Sequence, residues 1–402
     1  MSEKAPTSLH IGMIAPGYPS GRRGDYRGVF VQNLVRHLKQ RGHRVTVLTS
    51  AIFPDDPFFQ QLDEEEAVHR FRFWSEGKLL AQYDRVPVLR MITYMIAGYR
   101  RALRVFGGSD CDLIHTHFIL PTGVIGAGVA RRLGRPHILT AHGSDVRMAT
   151  HRRPLSPVLA PLARYALRGS QQITATAHHI RQGCLWLGTP PERLHLQTMA
   201  IDDLFFEEPG AAEDIPVGDI ISTRSLMERP YNVSLLLRAL PRVARQWPGL
   251  RVTIAGDGPD RPQLEALARA SGLGDVVRFT GWLEASRMAR TLGRHRIYVS
   301  TSLADGASVS LFEAMARWAF PVVSDIAANR QWIRHGVNGL LFSPTTPDDL
   351  ADRLLEALHA RVPLDAAIER NRRLARETFS WAGTARNFET FYRKLLEQVV
   401  RC

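Results

Sequence analysis

The chain has 402 residues, of which 45% are hydrophobic and 23% are charged, and this composition excludes a largely disordered protein. Its length predicts two domains rather than one compact core. The formal net charge of +13 favours an anionic partner, which could be a phosphorylated substrate, anionic lipid or nucleic acid, although an arginine-rich codon bias would give the same excess.

Three cysteines without paired spacing, Cys111, Cys184 and Cys402, predict reduced thiols in a cytoplasmic protein, with neither a disulfide frame nor a zinc site. Residues 1–9 are polar and do not read as a signal peptide. The longest apolar run, residues 118–130, is too short to cross a bilayer. We therefore expect no membrane-spanning segment.

Short apolar strands alternate with helical periodicity in the first half of the chain. A helix is predicted near residues 29–41, and strands are predicted over residues 9–15, 44–49, 112–115, 136–140 and 171–175. Residues 202–218 are acidic and contain Pro and Gly, which indicates a linker. The alternation then resumes, with strands predicted over residues 219–222, 250–255, 276–279, 296–300, 320–324 and 339–342. The tail from residue 347 is predicted to be helical, and its last helix, near residues 381–400, carries an apolar stripe.

This alternation predicts an α/β fold with two Rossmann-like domains, each a doubly wound parallel sheet. We place the first domain at residues 1–203 and the second at residues 204–380, with the C-terminal helix, residues 381–402, packing back on the first domain. Sheets of this kind bind ligands at the carboxyl ends of their strands. We therefore expect a site in a central cleft between the domains.

The loop after the first strand, residues 16–30, is rich in Gly and Arg. Gly28 allows the backbone to approach a phosphate closely, and the amides of Gly28 and Val29 would then face it. A plain strand-to-helix connection explains this loop equally well.

His142 follows a predicted strand, in the sequence His142-Gly143-Ser144-Asp145. A neutral imidazole at that position can exchange a hydrogen bond with a sugar hydroxyl, or it can simply bond the local backbone. His115 and His117 alternate on another strand, but no carboxylate stands near them in the sequence. We interpret that pair as structural and predict no metal site.

Arg224 follows the first strand of the second domain, where its guanidinium would match the oxygens of a diphosphate. Arg229 would add a second positive charge as a leaving group departs, unless it is a solvated surface residue. Residues 255–259 (AGDGP) superficially resemble a dinucleotide fingerprint but lack its third glycine and downstream acidic residue, which argues against NAD.

The stretch from Asp305 to Glu313 places small residues between two carboxylates, just before a helix predicted over residues 309–318. Free backbone N–H groups and the positive end of the helix dipole together bind anions, so the loop is a candidate diphosphate site. Glu313, one turn inside the helix, would reach a sugar hydroxyl. A solvated Asp before a helix and a surface Glu on it remain the alternative.

The segments 27–30 (RGVF), 142–145 (HGSD), 224–233 with Glu228 and its Tyr-Asn-Val end, 305–316 (DGASVSLFEAMA) and 321–342 occur in this order along the chain. Together they resemble the retaining glycosyltransferases of family 4, whose two Rossmann-like domains face each other. The resemblance covers almost the full length, and the combination is far more specific than any one segment.

The resemblance implies transfer of a hexose from a nucleotide-sugar donor, with a UDP-sugar favoured, without a metal or any other cofactor and with retention of the anomeric configuration. It implies catalytic roles for four residues, namely His142, Arg224, Arg229 and Asp305. It implies donor binding by six others, namely Gly28, Val29, Ala307, Ser308, Val309 and Glu313. Among these, Glu313 would bond the nucleotide ribose, and Asp305 would meet the donor sugar.

At three positions the residue differs from the one that is usual in that family. Asp305 stands where Glu is usual, and Arg27 stands where a glycine doublet is common. Arg229 replaces the usual catalytic Lys, or that Lys has no counterpart here if the loop aligns differently.

Residues 86–104 and 151–168 are apolar with basic ends and fall in the first domain, where the resemblance places the acceptor. Such segments can lie on an anionic membrane surface, or can pack on their own sheet with the arginines in solvent. We predict a cytoplasmic enzyme, peripheral at the membrane, that glycosylates a glycan or lipid-linked acceptor in cell-surface polysaccharide synthesis.

Two other functions fit parts of the sequence. One is an epimerase of similar fold, which would act on a nucleotide sugar without an acceptor, and the other is a nucleotide-binding protein that has lost catalysis. A nucleic-acid-binding protein would need arginines interleaved with aromatic residues or a known reader module, and neither is found in the sequence. We therefore predict no nucleic-acid partner.

Overall fold

The computed structural model describes residues 8–22, 25, 27–78, 80, 87–150, 156–207 and 218–400. It divides into two compact units, of which the first comprises Met1–Met199 together with Trp381–Cys402 and the second comprises Ala200–Ser380. Residues 208–217 of the predicted linker, residues 1–7 of the predicted polar start, and Cys402 lie outside the described ranges, as do residues 86 and 151–155 of the two apolar basic segments.

The first unit is built on one eight-stranded sheet. Its strands are β1 (His10–Ile14), β2 (Arg44–Ala51), β3 (Phe59–Gln61), β4 (Glu66–Arg72), β5 (Leu113–His117), β6 (His137–Ala141), β7 (Gln172–Ala175) and β8 (Leu194–Leu196). The order across the sheet is β3-β4-β2-β1-β5-β6-β7-β8, and β3 alone runs antiparallel to its neighbour. The strand order reverses between β1 and β5, so loops at the carboxyl ends of these strands diverge and leave room for a ligand.

Helices cover this sheet. They are α1 (Val29–Gln40), α2 (Val88–Gly107), α3 (Val124–Leu133), α4 (Ser144–Thr150), α5 (Ser156–Arg168), α6 (His178–Trp186) and, from the end of the chain, α15 (Trp381–Val400). Strands β5, β6 and β7 are buried along their whole lengths, as expected of parallel strands covered on both faces. In α1 the buried side chains, Val31, Leu34, Val35 and Leu38, recur at helical spacing and form its core-facing stripe.

The second unit has a six-stranded, fully parallel sheet in the order β11-β10-β9-β12-β13-β14. Its strands are β9 (Gly218–Ser222), β10 (Val252–Ala255), β11 (Val277–Gly281), β12 (His295–Ser300), β13 (Phe320–Ser324) and β14 (Leu340–Phe342). Its helices are α7 (Glu228–Tyr231), α8 (Val233–Gln246), α9 (Arg261–Ala270), α10 (Ala285–Leu292), α11 (Val309–Ala316), α12 (Ala327–Arg330), α13 (Pro347–Leu358) and α14 (Leu364–Thr378). This is the Rossmann strand order, and it reverses between β9 and β12.

The predicted fold class is confirmed, and each predicted strand is observed with ends within two residues of the prediction. The sequence analysis missed three strands, β3, β4 and β8. Strand β4 was missed because it carries Glu66, Arg70 and Arg72, which interrupt the apolar pattern. In the structure Glu66 is buried and accepts hydrogen bonds from Tyr18 and Lys39, so its charge does not exclude it from the sheet. In the described ranges, no helix combines the length and apolarity that crossing a membrane requires.

The C-terminal helix α15 is joined to the core of the first sheet through a buried hydrogen bond. The hydroxyl of Tyr392 lies 2.7 Å from Nδ1 of His115, whose Nε2 lies 2.8 Å from Oγ1 of Thr140. His115 and Tyr392 are both fully buried. The interpretation of His115 as structural agrees with this placement.

Tyr392→Phe should destabilise the first unit by about 1–3 kcal/mol, because it leaves a buried imidazole nitrogen without a partner. The measurement is urea unfolding followed by circular dichroism. Tyr165→Phe is the matched control, since Tyr165 is 41% exposed, and it should be neutral. Equal unfolding midpoints for the two variants would contradict the prediction.

Candidate functional site

Arg224 lies at the switch point of the second sheet. It follows the end of β9 by two residues, and its Nε donates a 3.0 Å hydrogen bond to Oγ of Ser300, the last residue of the adjacent strand β12. The guanidinium carbon lies 5.5 Å from the centroid of the Tyr231 ring. The fold therefore holds a cation at the point where a parallel sheet binds its ligand.

One end of the Arg224 side chain keeps hydrogen-bonding capacity. Its Nη2 lies 3.0 Å from Oδ2 of Asp305, but the N–H bonds do not align with that oxygen or with any other acceptor among the described residues. Arg224 is only 8% exposed, and a buried guanidinium nitrogen normally has a partner. A diphosphate would supply the aligned acceptor that this nitrogen lacks, together with further negative charge.

Asp305 shapes the loop that precedes α11. Its Oδ1 accepts from the amide of Gly306 at 2.8 Å, and its Oδ2 accepts from the hydroxyl of Ser308 at 3.1 Å. Ser308 is fully buried, and its Oγ lies 2.9 Å from Oδ1 of Asn329. Asn329 in turn donates to the carbonyl of Ser324 at 2.8 Å. The loop is thus fixed from below by a buried chain of hydrogen bonds.

The three amides predicted to line the donor are not equivalent in the structure. The amide of Val309 donates to the carbonyl of Ala307 at 2.8 Å, so it is already used. The amides of Ala307 and Ser308 have no acceptor within the described residues. Ala307 is partly exposed, so its amide and the start of α11 remain able to bind an anion, whereas Ser308 is fully buried.

Glu313 lies one turn inside α11, close enough to Arg224 for the positive charge of the arginine to act on its carboxylate. Burial raises the pKa of Glu313 to about 8, although the charge of Arg224 opposes the shift and that of Asp202 adds to it. Among the described residues, none donates a hydrogen bond to this carboxylate. A pair of sugar hydroxyls would provide the donors that an ionised Glu313 lacks.

Arg229 is exposed, and no described residue forms an ion pair or hydrogen bond with it. Both carboxylate oxygens of its neighbour Glu228 accept hydrogen bonds from Ser234, one from the amide at 2.9 Å and one from the hydroxyl at 2.6 Å. The structure therefore brings together Arg224, Asp305 and Ser308 but leaves Arg229 outside that hydrogen-bonded group. The catalytic role of Arg229 stays a prediction.

In the first unit, Gly28 occupies the position before α1 with φ of +69°, in the left-handed region. A Cβ on this residue would lie 2.0 Å from the carbonyl oxygen of Gly17. The carbonyl of Gly28 accepts from the amides of Val31 and Gln32, which begins the helix. Both the backbone angle and the close approach to Gly17 require glycine here.

Arg27, which differs from the residues common in that family, forms ion pairs with two carboxylates. It donates to Asp25 at 2.7 and 2.6 Å and to Asp56 at 2.9 and 2.8 Å, and the ring centroid of Phe53 lies 4.9 Å from its guanidinium carbon. Asp56 also accepts from the amides of Ile52 and Phe53. Arg27 thus fastens the loop that carries Gly28 to the loop after β2, and its charge is already neutralised.

His142 follows β6, as predicted, and lies among aromatic rings. Its Nε2 is 3.1 Å from Nδ1 of His117, and its ring centroid is 4.9 Å from that of Phe30 and 4.4 Å from that of Phe118. Burial lowers the pKa of His142 to about 3, so the imidazole is neutral at neutral pH. The buried carboxylate of Asp145 fixes the following turn by accepting from the amides of Gly143, Val146 and Ile119.

The sequence analysis missed several residues of this site. Ser300 and Asn329 orient Arg224 and Ser308, and His117 contacts His142 although it was interpreted only as structural. Ser300 had a usable signal, because polar residues at the carboxyl end of a buried parallel strand mark a ligand-binding edge. Asn329 had no comparable signal, since its contact with Ser308 joins residues 21 positions apart in the sequence.

Within the part of the chain that the structure describes, no group of three or more His, Cys, Asp or Glu side chains is placed to hold a metal ion.

Two family descriptions match the chain, one in each unit. Residues 28–197 match the glycosyl transferase 4-like domain, and residues 218–360 match the glycosyl transferases group 1. The matched ranges include Gly28, His142, Arg224, Asp305 and Glu313.

Individual proteins of known activity or structure are similar over nearly the whole chain. An MMP α-(1→4)-mannosyltransferase of Mycolicibacterium hassiacum is 25% identical over 94% of this chain and 96% of its own. A sucrose-phosphate synthase of Thermosynechococcus elongatus superposes with a TM-score of 0.76 at 18% identity, covering 97% of this chain and 100% of that one. Anabaena HepE in complex with UDP-glucose gives 0.71 at 16% identity, covering 98% and 100%.

Gly28→Ala should destabilise the first unit by more than the roughly 1–2 kcal/mol that a left-handed backbone alone costs a residue with a Cβ. The additional cost comes from the clash with Gly17. Denaturant unfolding of both variants provides the measurement, with Gly42→Ala as the control. Gly42 has a similar φ of +83° but open space around its Cβ position. A Gly42 variant as destabilised as the Gly28 variant would show that the Gly17 contact is unimportant.

Glu313→Gln should stabilise the protein without ligand, and increasingly so as the pH rises. The folded state holds the Glu313 proton up to a pKa of about 8, whereas the unfolded state releases it near 4.5, so wild-type stability falls as the pH rises through this window. The glutamine variant is free of that loss, and its advantage should grow from near zero below pH 4.5 to about 1–2 kcal/mol above pH 8, after allowance for partial solvent screening.

Thermal melts across this pH range provide the test of the Glu313 prediction. Glu377→Gln serves as the control because Glu377 is exposed on α14. A Glu313→Gln advantage that does not change between pH 4.5 and pH 8 would contradict the raised pKa.

Proposed function

The chain belongs to the glycosyltransferases of the family 4 type, which use nucleotide-sugar donors, and from this premise we propose a metal-independent hexosyltransferase that takes a UDP-sugar and retains its anomeric configuration. The observation that carries the proposal is Arg224. This buried cation, with one nitrogen unmatched, lies at the switch point of the second sheet and beside the start of α11.

The donor is proposed to bind the second unit through its diphosphate and ribose. Arg224 would hold the diphosphate, with the free amide of Ala307 contributing a further donor and Ser308 supporting the loop from below. Glu313 would accept the ribose hydroxyls in its ionised form, because the nearby positive charge and the hydroxyl donors favour ionisation once the nucleotide is bound. UDP as the nucleotide is supported by the similarity in fold to Anabaena HepE, whose structure contains UDP-glucose.

Retention is proposed to proceed without a carboxylate nucleophile. As the bond between the sugar and the diphosphate breaks, negative charge builds on the leaving oxygen, and Arg224 with the amide of Ala307 would stabilise it. The departing phosphate would accept the proton of the incoming hydroxyl on the same face of the sugar. This positive charge is of the kind a metal ion would otherwise supply, which supports the proposal that no metal is needed.

The first-unit residues keep the roles predicted from the resemblance. Neutral His142 would exchange a hydrogen bond with the donor sugar, for which its low pKa suits it, since a neutral ring can accept as well as donate. Gly28 and Val29 would contribute to donor binding. Asp305 is proposed to act first by positioning the loop, since both of its oxygens already bond the loop.

The acceptor is proposed to be a lipid-linked precursor of a cell-surface glycan, glycosylated at the cytoplasmic face of the membrane by a peripheral enzyme. Support comes from the apolar, arginine-rich helices α2 and α5 of the first unit. An anionic membrane would concentrate the enzyme where such an acceptor resides.

UDP at 100 times its dissociation constant should stabilise the wild type by about 2.7 kcal/mol in thermal-shift assays, whereas GDP and ADP should do much less. Arg224→Lys should weaken UDP binding at least tenfold, because lysine cannot bond Ser300 and a phosphate with one planar group. Arg361→Lys is the control, since Arg361 is exposed in the second unit, and it should bind normally. Preference for GDP or ADP would refute the proposed donor base.

The stereochemical outcome requires a separate measurement. Incubation of the enzyme with an α-linked UDP-sugar and a lipid extract should yield a product whose new linkage is also α by proton NMR. EDTA should leave the rate unchanged. A β-linked product would contradict retention, and a rate lost with EDTA and restored by a divalent cation would contradict metal independence.

A further inference from the structure

Three helices of the first unit carry positive charge, and among the described residues only Arg90 of these helices has an ion-pair partner, Glu76. In the described structure, α2, α3 and α5 together hold eight arginines and no Asp or Glu. Helix α3 packs against both α2 and α5, so the three form one layer. Elsewhere on the chain, arginines on helices such as α13 and α15 pair with acidic neighbours. The layer therefore concentrates arginines, seven of which have no ion-pair partner among the described residues (eight less Arg90).

A wide apolar groove lies in this layer. Its volume is about 810 Å³, and its apolar lining comes from Met95 and Ile96 of α2, Val124 and Ile125 of α3, and Leu162 of α5. Ile96 is 48% exposed, although large apolar side chains on a stable surface are usually covered. Because most of its lining surface is apolar, the groove suits a hydrocarbon chain better than a sugar or a peptide backbone.

The apolar surface extends beyond the groove along both flanking helices. On α2, Leu89 and Ile92 are 68% and 41% exposed and precede Ile96 by seven and four residues, which places them on the same side of the helix. On α5, Val158 is 55% exposed and precedes Leu162 by four residues. The result is a continuous apolar strip on α2 with a second on α5.

Arginines border the groove. Arg100, Arg131 and Arg132 line it directly, and Arg131 also lines two adjoining cavities of about 650 and 460 Å³. Those cavities add Arg164 and Arg168. No acidic side chain lines any of the three cavities, and within the described residues none of these five arginines has an ion-pair partner. An apolar surface bordered by unpaired cations is complementary to anionic lipid, which presents phosphates above hydrocarbon.

We propose that this face of the first unit, formed by α2, α3 and α5, docks on an anionic lipid bilayer, with Leu89, Ile92, Ile96 and Val158 entering the outer hydrocarbon, one lipid chain in the groove, and Arg131 and Arg132 on the headgroup phosphates. The inference deepens the proposed function, since docking would bring the enzyme to a lipid-linked acceptor. Lipid binding can nevertheless be measured without donor or acceptor, so a failure here leaves the proposed sugar transfer standing.

The test is flotation of the full-length protein with vesicles of phosphatidylcholine alone or mixed with phosphatidylglycerol. Wild type should bind the mixed vesicles and not the neutral ones, and about 1 M salt, where the Debye length is about 3 Å, should release it. The charge-reversal variant Arg131→Glu/Arg132→Glu should bind at least tenfold more weakly. The variant Ile96→Gln/Val158→Gln should also bind more weakly, because it removes exposed apolar groups from both helices without changing charge.

Arg361→Glu/Arg370→Glu is the matched control. It makes the same change in net charge on exposed arginines of the second unit and should bind vesicles like the wild type. Circular dichroism melts are expected to be unchanged for all three double variants because every altered side chain is exposed.

Three results would overturn the proposal. The first is a control variant that binds as weakly as Arg131→Glu/Arg132→Glu, which would reduce the effect to net charge. The second is normal binding by Ile96→Gln/Val158→Gln. The third is a wild type that does not bind vesicles but forms a dimer broken by that same variant in sedimentation analysis, which would assign the face to a second copy of the chain.

Discussion

The candidate donor site depends on a single buried charge, the guanidinium of Arg224. Removing an arginine from water is costly unless neighbouring groups satisfy it. Here Ser300 satisfies one side, the Tyr231 ring lies near it, and Asp305 supplies a nearby negative charge without an aligned hydrogen bond. The surroundings stabilise the cation but leave a donor unmatched. Such an arrangement favours binding of a further anion, because a phosphate gains a donor whose cost of burial has already been met in the fold.

Strand order explains why these groups meet although they are far apart in the sequence. Arg224 follows β9 and Asp305 follows β12, and these strands are neighbours at the point where the order of the second sheet reverses. The loops leaving them turn in opposite directions, which opens a space above the sheet edge. The first sheet has the same reversal between β1 and β5. His117 is the last residue of β5, and Gly28 is the last residue of the loop that joins β1 to α1. In each unit, polar groups therefore lie near the point where the strand order reverses.

The sequence predicted the parallel strands well because burial on both faces makes them continuous apolar runs. Arg224 and Gly28 were predicted as site residues because each lies in the segment after such a run, and their roles stay predictions. Strand β4 was missed since its charges are neutralised only by tertiary contacts, such as that between Glu66 and Tyr18. The hydrogen bond that occupies the amide of Val309 and the raised pKa of Glu313 could not be predicted from the sequence either. Both depend on the local backbone path and on burial, which no periodicity encodes.

At two positions where the residue differs from the one usual in the family, Arg27 and Asp305, the structure shows a local packing role. Arg27 brings a positive charge to the loop that carries Gly28, and Asp25 and Asp56 neutralise this charge and fix the loop. At position 305, the short Asp side chain can accept from the very next amide, of Gly306, and from the hydroxyl of Ser308 while it stays near Arg224. A Glu would carry its carboxylate one methylene further from the backbone, so the short Asp side chain suits these contacts within the loop.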